Sequence, residues 1–276
     1  MNQENSSSNG PIVITGALGY LGKRLSAALV EKGYKIRVLL KGGGDGHDYF
    51  SSLNAEILIG HMGEKHIAER LMAGAFGVFN VAGIFGRFGM KENEIWDANV
   101  TVPKQLLKAA AKAGLSRFVY CSSADVLGNV THPPADEETP TAAEDIYQFT
   151  KAHGELSALA SNGKKGLKVT VVRPTVVYGP GDPYRHGMFR AIAHGQFRMI
   201  GNGDNLVHPV YIDDFVEGMI LAYQSEKSPG RVYIIGGDEY LPLREWLDII
   251  AREAYSSIPA IHYPYLPMKA FSAGLG

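Results

Sequence analysis

Short apolar runs alternate with amphipathic stretches along the first two-thirds of the chain. Pro11-Ile-Val-Ile-Thr15 is β-rich and uncharged, the pattern of a strand buried on both faces. It runs into Gly16-Ala-Leu-Gly19-Tyr-Leu-Gly22 and a helix with Leu21, Leu25, Ala28 and Leu29 on one side, which Gly33 ends. The same alternation predicts strands at Lys35–Leu40, Ala55–Ile59, Gly77–Val81, Arg117–Cys121 and Leu167–Val172. Helices are predicted between them, from about Glu64 to Met72, from Pro103 to Ala113 with Gly114 closing it, and around Tyr147. For the Tyr147 helix, Thr141-Ala-Ala-Glu144 has capping-box spacing and predicts the start, and Asn162-Gly163 predicts the stop. Strand and helix alternating at this spacing predict an α/β fold, a doubly wound parallel sheet in the order 3-2-1-4-5-6.

Beyond about Arg173 the regularity breaks at Pro174, Gly179-Pro180-Gly181 and Pro183. Helical patches are predicted near Met188–His194, Asp213–Tyr223 and Leu243–Ala254, with Asp213 and Asp214 suited to a helix N-terminus. Strands are predicted at Val207–Tyr211 and Arg231–Ile235. This pattern divides the chain into a sheet domain over 10–175 and a smaller C-terminal lobe over 176–276, the strand near 231–235 being free to rejoin the main sheet. Open α/β sheets hold ligands beyond their carboxyl edge, so the lobe is read as substrate-binding. Residues 1 to about 9 are polar and read as disordered.

Composition narrows the classes. The 276 residues are 45% apolar, enough for a sizeable core. Charge is balanced, 27 basic against 28 acidic, which argues against nucleic acid or an anionic membrane as partner. The single cysteine, Cys121, forms no internal disulfide and belongs to no Cys-rich metal site; it suits a reducing cytosol. No run reaches transmembrane length, and Met1–Ser8 is too polar for a signal peptide. The expectation is a cytoplasmic enzyme or binding protein without a metal.

Two patterns carry chemistry. Gly16, Gly19 and Gly22 stand between a strand and a helix, where glycine permits a tight turn, close backbone approach to a pyrophosphate, and close helix packing. Tyr147-Gln-Phe-Thr-Lys151 places a phenol and an ammonium one helical turn apart. A cation lowers a phenol's pKa, so such a pair can exchange a proton near neutral pH. A plain surface helix reads the same way, so the pair depends on its context.

That context brings a resemblance. The glycine turn is joined by Val78-Phe-Asn-Val-Ala82-Gly83, Trp96-Asp-Ala-Asn99, Phe118-Val-Tyr-Cys-Ser122-Ser123-Ala124, Tyr147-x-x-x-Lys151-x-x-x-Glu155, Arg173-Pro-Thr-Val-Val-Tyr178-Gly, Val210-Tyr-Ile-Asp213-Asp214 and Tyr233-Ile-Ile-Gly236-Gly237. From about Pro11 to Glu245 the chain resembles the extended short-chain dehydrogenase/reductases, the NAD(P)-dependent epimerase/dehydratase family. The resemblance implies a Rossmann fold with Tyr147 as general acid/base, Lys151 tuning it and holding the nicotinamide ribose, and Ser123 on the reacting oxygen, with Ser122 the runner-up. It implies cofactor contacts from Gly16, Ala17, Leu18, Gly19, Tyr20, Leu21 and Gly22, from Lys41, His61 and Met62, from Val81, Ala82 and Gly83, and from Tyr147, Lys151, Pro174, Val176 and Val177. Asn99 resembles a family asparagine that braces the active-site backbone.

Several positions set the finer expectations. The second strand ends without an acid until Asp45, and Lys41 can meet a 2′-phosphate, so NADP is favoured slightly over NAD; a solvated loop lysine is the alternative. His61 stands where relatives often carry the carboxylate that reads adenine. Ala124-Asp125 replaces the Asp-Glu pair of family dehydratases, which argues against dehydration and leaves Asp125 to a substrate hydroxyl or to solvent. Substrate contacts are expected from 84–90, 175–186 and 199–208, with Phe85, Asp125, Arg185, His186 and His208 as candidates. The leading reading is an epimerase or ketoreductase acting on a nucleotide-linked sugar. An NADPH-dependent reductase of an apolar ketone is the alternative, suggested by Phe85, Phe88, Met90, Met188 and by Pro264-Tyr-Leu-Pro267, which resembles that branch. A non-catalytic dinucleotide-binding regulator is the third; such relatives usually lose Tyr or Lys. Family habit implies a homodimer through the helices near Pro103 and Tyr147.

Overall fold

The computed structural model describes residues 10–42, 44–86, 89–258 and 262–263. In chain order its elements are β1 (Ile12–Thr15), α1 (Tyr20–Glu31), β2 (Ile36–Leu40), α2 (His47–Ser52), β3 (Glu56–Ile59), α3 (Ile67–Met72), β4 (Gly77–Asn80), α4 (Glu92–Trp96), α5 (Val102–Ala113), β5 (Arg117–Cys121), α6 (Ile146–Leu159) and β6 (Lys168–Pro174). There follow β7 (Val176–Tyr178), α7 (His186–Ala193), β8 (Met199–Ile200), β9 (Leu206–Val207), β10 (Pro209–Tyr211), α8 (Ile212–Gln224), β11 (Val232–Ile235), β12 (Leu241–Pro242), α9 (Leu243–Glu253) and β13 (His262–Tyr263). The N-terminal run to Asn9, Phe88 and Pro264–Pro267 lie outside the described residues.

Seven parallel strands form one sheet in the order β11-β6-β5-β4-β1-β2-β3. The predicted 3-2-1-4-5-6 order is present, and β11 adds a seventh strand beside β6. Strands β1, β4 and β5 are buried at every residue, which requires helices on both faces. Val13, Val78, Phe118 and Val171 of the strands share one core with Leu71, Leu106, Ala110 and Ala158 of α3, α5 and α6. Helices α1 and α8 pack on one another and are tied by Arg24 to Asp213 at 2.5 Å and Lys32 to Glu217 at 2.9 Å.

The chain separates into two compact units. The larger holds residues 10–175 and Ile212–Ile235; the smaller holds Val176–Tyr211 and the chain from Gly236. Within the smaller unit β7 pairs with β10 and β9 with β12, over a core of Ile192, Met199, Leu247 and Ala251.

Local expectations are corrected in several places. Helix α6 begins at Ile146, with Asp145 as N-cap accepting the Gln148 N–H at 2.8 Å, while Gln148 accepts the Glu144 N–H at 2.6 Å. This Asp-x-x-Gln pair satisfies the helix entrance that Thr141 and Glu144 were expected to satisfy. The helix stops at Leu159; the Asn162 side chain instead accepts the Val169 N–H at 2.9 Å. Helix α3 starts at Ile67, because residues 61–66 form a turn in which Glu64 accepts the His61 N–H at 3.1 Å. The expected Val207–Tyr211 strand is two short strands that break at His208. Helices α2 and α4 are too short to show a period in sequence, and α4 joins α5 through a π turn at Asp97–Thr101.

Candidate active site

The chain leaves β1 at Thr15 and turns at Gly16, whose φ is +68°. A Cβ on Gly16 would come within 2.7 Å of the Ala82 Cα, and one on Gly22 within 2.1 Å of the Gly16 carbonyl oxygen. Both collisions are with backbone, so only glycine fits. Gly19 caps α1 without a side chain, and its N–H bonds the Gly16 oxygen at 2.9 Å. The first-turn N–H groups of α1 thus have no side-chain acceptor from the cap, as a pyrophosphate cradle requires. In this turn Ala17 is buried, Leu18 is exposed, and Tyr20 and Leu21 are half-buried.

Thr15 joins this turn to the end of β4. Its hydroxyl donates to Asn80 Oδ1 at 2.8 Å and accepts the Ala82 N–H at 3.4 Å. Val81, Ala82 and Gly83 therefore lie beside the glycine turn. A Cβ on Gly83 would be 3.5 Å from Lys151 Nζ, which brings the glycine turn, the β4 exit and α6 to one place.

The Asp145 cap sets Tyr147 in the first turn of α6 and Lys151 one turn later. Lys151 is only 4% exposed, a degree of burial that lysine rarely reaches. Its Nζ donates to the Cys121 carbonyl oxygen at 2.6 Å and lies 5.0 Å from the Tyr120 ring centre. Burial holds its pKa below the ordinary lysine range, with the Glu155 carboxylate opposing. Glu155 forms a buried bidentate pair with Arg173, at 2.6 and 3.1 Å. The Cys121 thiol is pushed up to about 11 by burial, so it is no nucleophile at neutral pH.

Asn99 sits in the π turn and braces three segments. Its Oδ1 accepts the Ile84 N–H at 2.9 Å, and its Nδ2 donates to the Ile84 oxygen and to Thr150 Oγ1, both at 3.0 Å. Thr150 donates in turn to the Tyr147 carbonyl oxygen at 3.0 Å. The Phe85 ring stacks on the Tyr147 ring with centroids 3.9 Å apart and planes 17° from parallel.

Ser123 caps the short turn Ala124–Leu127, accepting the Asp125 N–H at 3.2 Å, which leaves its own proton to donate. Ser122 Oγ is fully enclosed and has no hydrogen-bond partner among the described residues. The Asp125 side chain is exposed. Lys41, at the end of β2, is exposed, as is His61, whose Nδ1 accepts the Gly63 N–H at 3.1 Å; Met62 is half-buried. Pro174 closes β6.

The remaining candidates lie in the smaller unit, where Val176 and Val177 belong to β7. Arg185, expected as a substrate contact, gives its Nη1 to the Val177 carbonyl oxygen at 2.9 Å and to Asp182 Oδ2 at 3.2 Å, and so braces its own turn. His208 Nε2 lies 2.7 Å from the Gly237 oxygen. His186 opens α7. Sequence reasoning missed Thr150, Arg173 and the partnership of Glu155; each is a polar residue at a position that the local pattern makes buried, which was the available signal. Among the described residues no group of three His, Cys, Asp or Glu could hold a metal, and no helix is long and apolar enough to cross a membrane.

The model of the NAD dependent epimerase/dehydratase family matches residues 12–236. A 2-alkyl-3-oxoalkanoate reductase of Stenotrophomonas maltophilia (strain K279a) is 29% identical over 245 residues, 85% of this chain and 72% of that protein. A 4-hydroxy-2-methyl-3-oxo-4-farnesyl-3,4-dihydroquinoline-1-oxide ketoreductase of Stigmatella aurantiaca is 30% identical, covering 86% of this chain and 71% of the relative. A sterol-4-alpha-carboxylate 3-dehydrogenase, decarboxylating, of Mus musculus is 28% identical, over 91% of this chain and 71% of the relative. Among solved structures, gox2253 superposes with a TM-score of 0.84 at 27% identity, over 97% of this chain and 82% of that one. The UDP-glucuronic acid 4-epimerase from Bacillus cereus, solved with UDP-glucuronic acid and NAD, shares the fold with a TM-score of 0.79 at 21% identity, over 92% of this chain and 86% of that one. With its glycine turn, its seven-stranded sheet and this match along most of its length, the chain belongs to the NAD dependent epimerase/dehydratase family of NAD(P)-dependent enzymes.

Proposed function

We propose that this chain is an NAD(P)-dependent oxidoreductase acting at a ketone or carbinol carbon of a largely apolar molecule. The observation that carries the reading is the enclosed Lys151 ammonium one helical turn from the Tyr147 phenol. A cation at that distance favours the phenolate, so Tyr147 gives its proton to the substrate oxygen in reduction and takes it back in oxidation. The Ser123 hydroxyl donates a second hydrogen bond to the same oxygen, where negative charge develops. The cradle of Gly16, Gly19 and Gly22 fits the cofactor's pyrophosphate, with Val81, Ala82 and Gly83 beside it. When bound, the nicotinamide supplies or accepts the hydride.

The relatives support an apolar substrate, since the names of three near 30% identity speak of an oxoalkanoate, a farnesylated quinoline and a sterol. A nucleotide-linked sugar, as substrate of an epimerase or ketoreductase, is the second reading and rests on family membership. Lys41, exposed at the end of β2 with no acid before Asp45, supports NADP over NAD. Exposed Phe149 and Leu156 on α6 support a homodimer through that helix and α5, and the lone buried Cys121 suits the cytoplasm.

Tyr147→Phe tests the reading. It should lower turnover about 100- to 10,000-fold while NADPH affinity, measured by fluorescence titration, stays within a factor of three. Unchanged turnover would sink the mechanism. Tighter binding of NAD than of NADP would refute the role of Lys41.

A further inference from the structure

We infer that Phe85 is the specificity-determining residue of the site, selecting ketones whose carbonyl is carried on an apolar body over hydroxyl-rich ones. This rests on the reading of Tyr147 as the proton donor. The stack of Phe85 on Tyr147 is built by the backbone and is not a chance meeting of two rings. Asn99 grips both the N–H and the carbonyl of Ile84, the residue before Phe85. The same side chain reaches Thr150, which is bonded to the Tyr147 carbonyl. One asparagine thus sets the spacing of both rings, and they meet at 3.9 Å, nearly parallel.

The stack closes one face of the phenol to water and to polar ligands. Phe85 itself remains 46% exposed, a large apolar surface beside the proton donor. A ketone that takes the Tyr147 proton brings its substituents alongside this ring. An apolar body covers the ring and is favoured in proportion to the apolar area removed from water. A sugar hydroxyl in the same place exchanges water for a surface that cannot hydrogen-bond, which disfavours binding for each group left unpaired. The wall therefore discriminates in two ways, by attracting one class and penalising the other.

The test separates this inference from the mechanism. Binding of menthone, acetophenone, progesterone and UDP-glucose is measured by saturation-transfer NMR and calorimetry on Tyr147→Phe, and on the same protein carrying Phe85→Ser or Phe85→Leu. The expected result is that at least one apolar ketone binds Tyr147→Phe more tightly than UDP-glucose does. Phe85→Ser should weaken that ketone at least tenfold, and Phe85→Leu, which keeps the apolar surface, less than Phe85→Ser. In the chain with Tyr147 intact, Phe85→Ser should raise KM for the ketone by more than it lowers kcat. Equal ketone affinity with and without Phe85, binding of none of the three ketones, or tighter binding of UDP-glucose overturns the inference. Turnover that survives Tyr147→Phe overturns the mechanism instead, and the binding series reads Phe85 apart from it.

Discussion

Lys151 Nζ donates to the Cys121 carbonyl oxygen at 2.6 Å, tethering the helix of Tyr147 to the strand that delivers Ser123. The tether is made by an amine in a place that disfavours its charged form. Burial lowers the Lys151 pKa, so the folded chain holds this proton less tightly than the unfolded chain does. Below the folded value both states are protonated and the full penalty applies. As pH rises toward the ordinary lysine value of 10.5 the penalty fades, so this group's contribution to stability improves with pH.

Lys151→Met should therefore abolish turnover without lowering thermal stability near pH 7. Its stability advantage over the parent, followed by denaturant melts, should narrow as pH is raised toward 10. A variant less stable than the parent at pH 7 would show that the tether outweighs the cost of burial.

The Glu155–Arg173 pair obeys the opposite rule. Both side chains are 4% exposed and each satisfies the other in two hydrogen bonds. Glu155→Ala strands a guanidinium whose Nη1 has no partner among the described residues, and should cost about 3–5 kcal/mol in urea unfolding. Replacing both residues with apolar ones of similar volume should recover most of that loss. A double variant as unstable as Glu155→Ala would refute the electrostatic explanation.

Gly154 separates crowding from backbone strain. A Cβ there would lie 2.1 Å from Tyr120 Oη and 2.4 Å from the Asn99 carbonyl oxygen, whereas among the described residues nothing lies within 4 Å of one on Gly163. Gly154→Ala should cost about 1–3 kcal/mol and reduce turnover, because α6 must move away from Asn99. Gly163→Ala, strained only by its φ of +80°, should cost about 1 kcal/mol and leave turnover unchanged. Equal effects on turnover would show that the approach of α6 to Asn99 does not matter to the site.

An apolar face on α6 makes a prediction about assembly. Phe149 and Leu156 stand seven residues apart on the helix and both are exposed. If they meet a second copy, Leu156→Glu should shift the mass measured by light scattering from dimer to monomer. A parent chain that is already monomeric at micromolar concentration would dismiss the homodimer.

The sheet was legible because its central strands are short apolar runs without alternation, and β1, β4 and β5 are buried at every residue. The glycine turn was legible because Gly16 and Gly22 meet backbone atoms, so the local sequence admits nothing else. The start of α6 was misplaced because two polar residues at capping-box spacing occur twice, and the competition between Thr141 and Asp145 is decided by Gln148 reaching back to Glu144. The second bonds of Asn99, the Glu155–Arg173 pair and the Phe85 stack join residues from 15 to 62 positions apart, and no local period encodes such meetings. Arg185 was expected to meet substrate, and its Nη1 contacts to Val177 and Asp182 were not legible because a sequence shows a charge without its partners.

The π turn at Asp97–Thr101 has a consequence for how this chain can vary. Such a turn holds one residue more than regular α-helical winding would. Deleting a single residue there would restore regular winding with α4 and α5 still in register, so the change would fall on the wide turn itself, which carries Asn99. Asn99 would swing away from Ile84 and Thr150, and the rings of Phe85 and Tyr147 would lose their shared support. The helix would become more regular and the enzyme would lose its alignment, so at this place insertions and deletions are constrained more tightly than the identities of the neighbouring side chains.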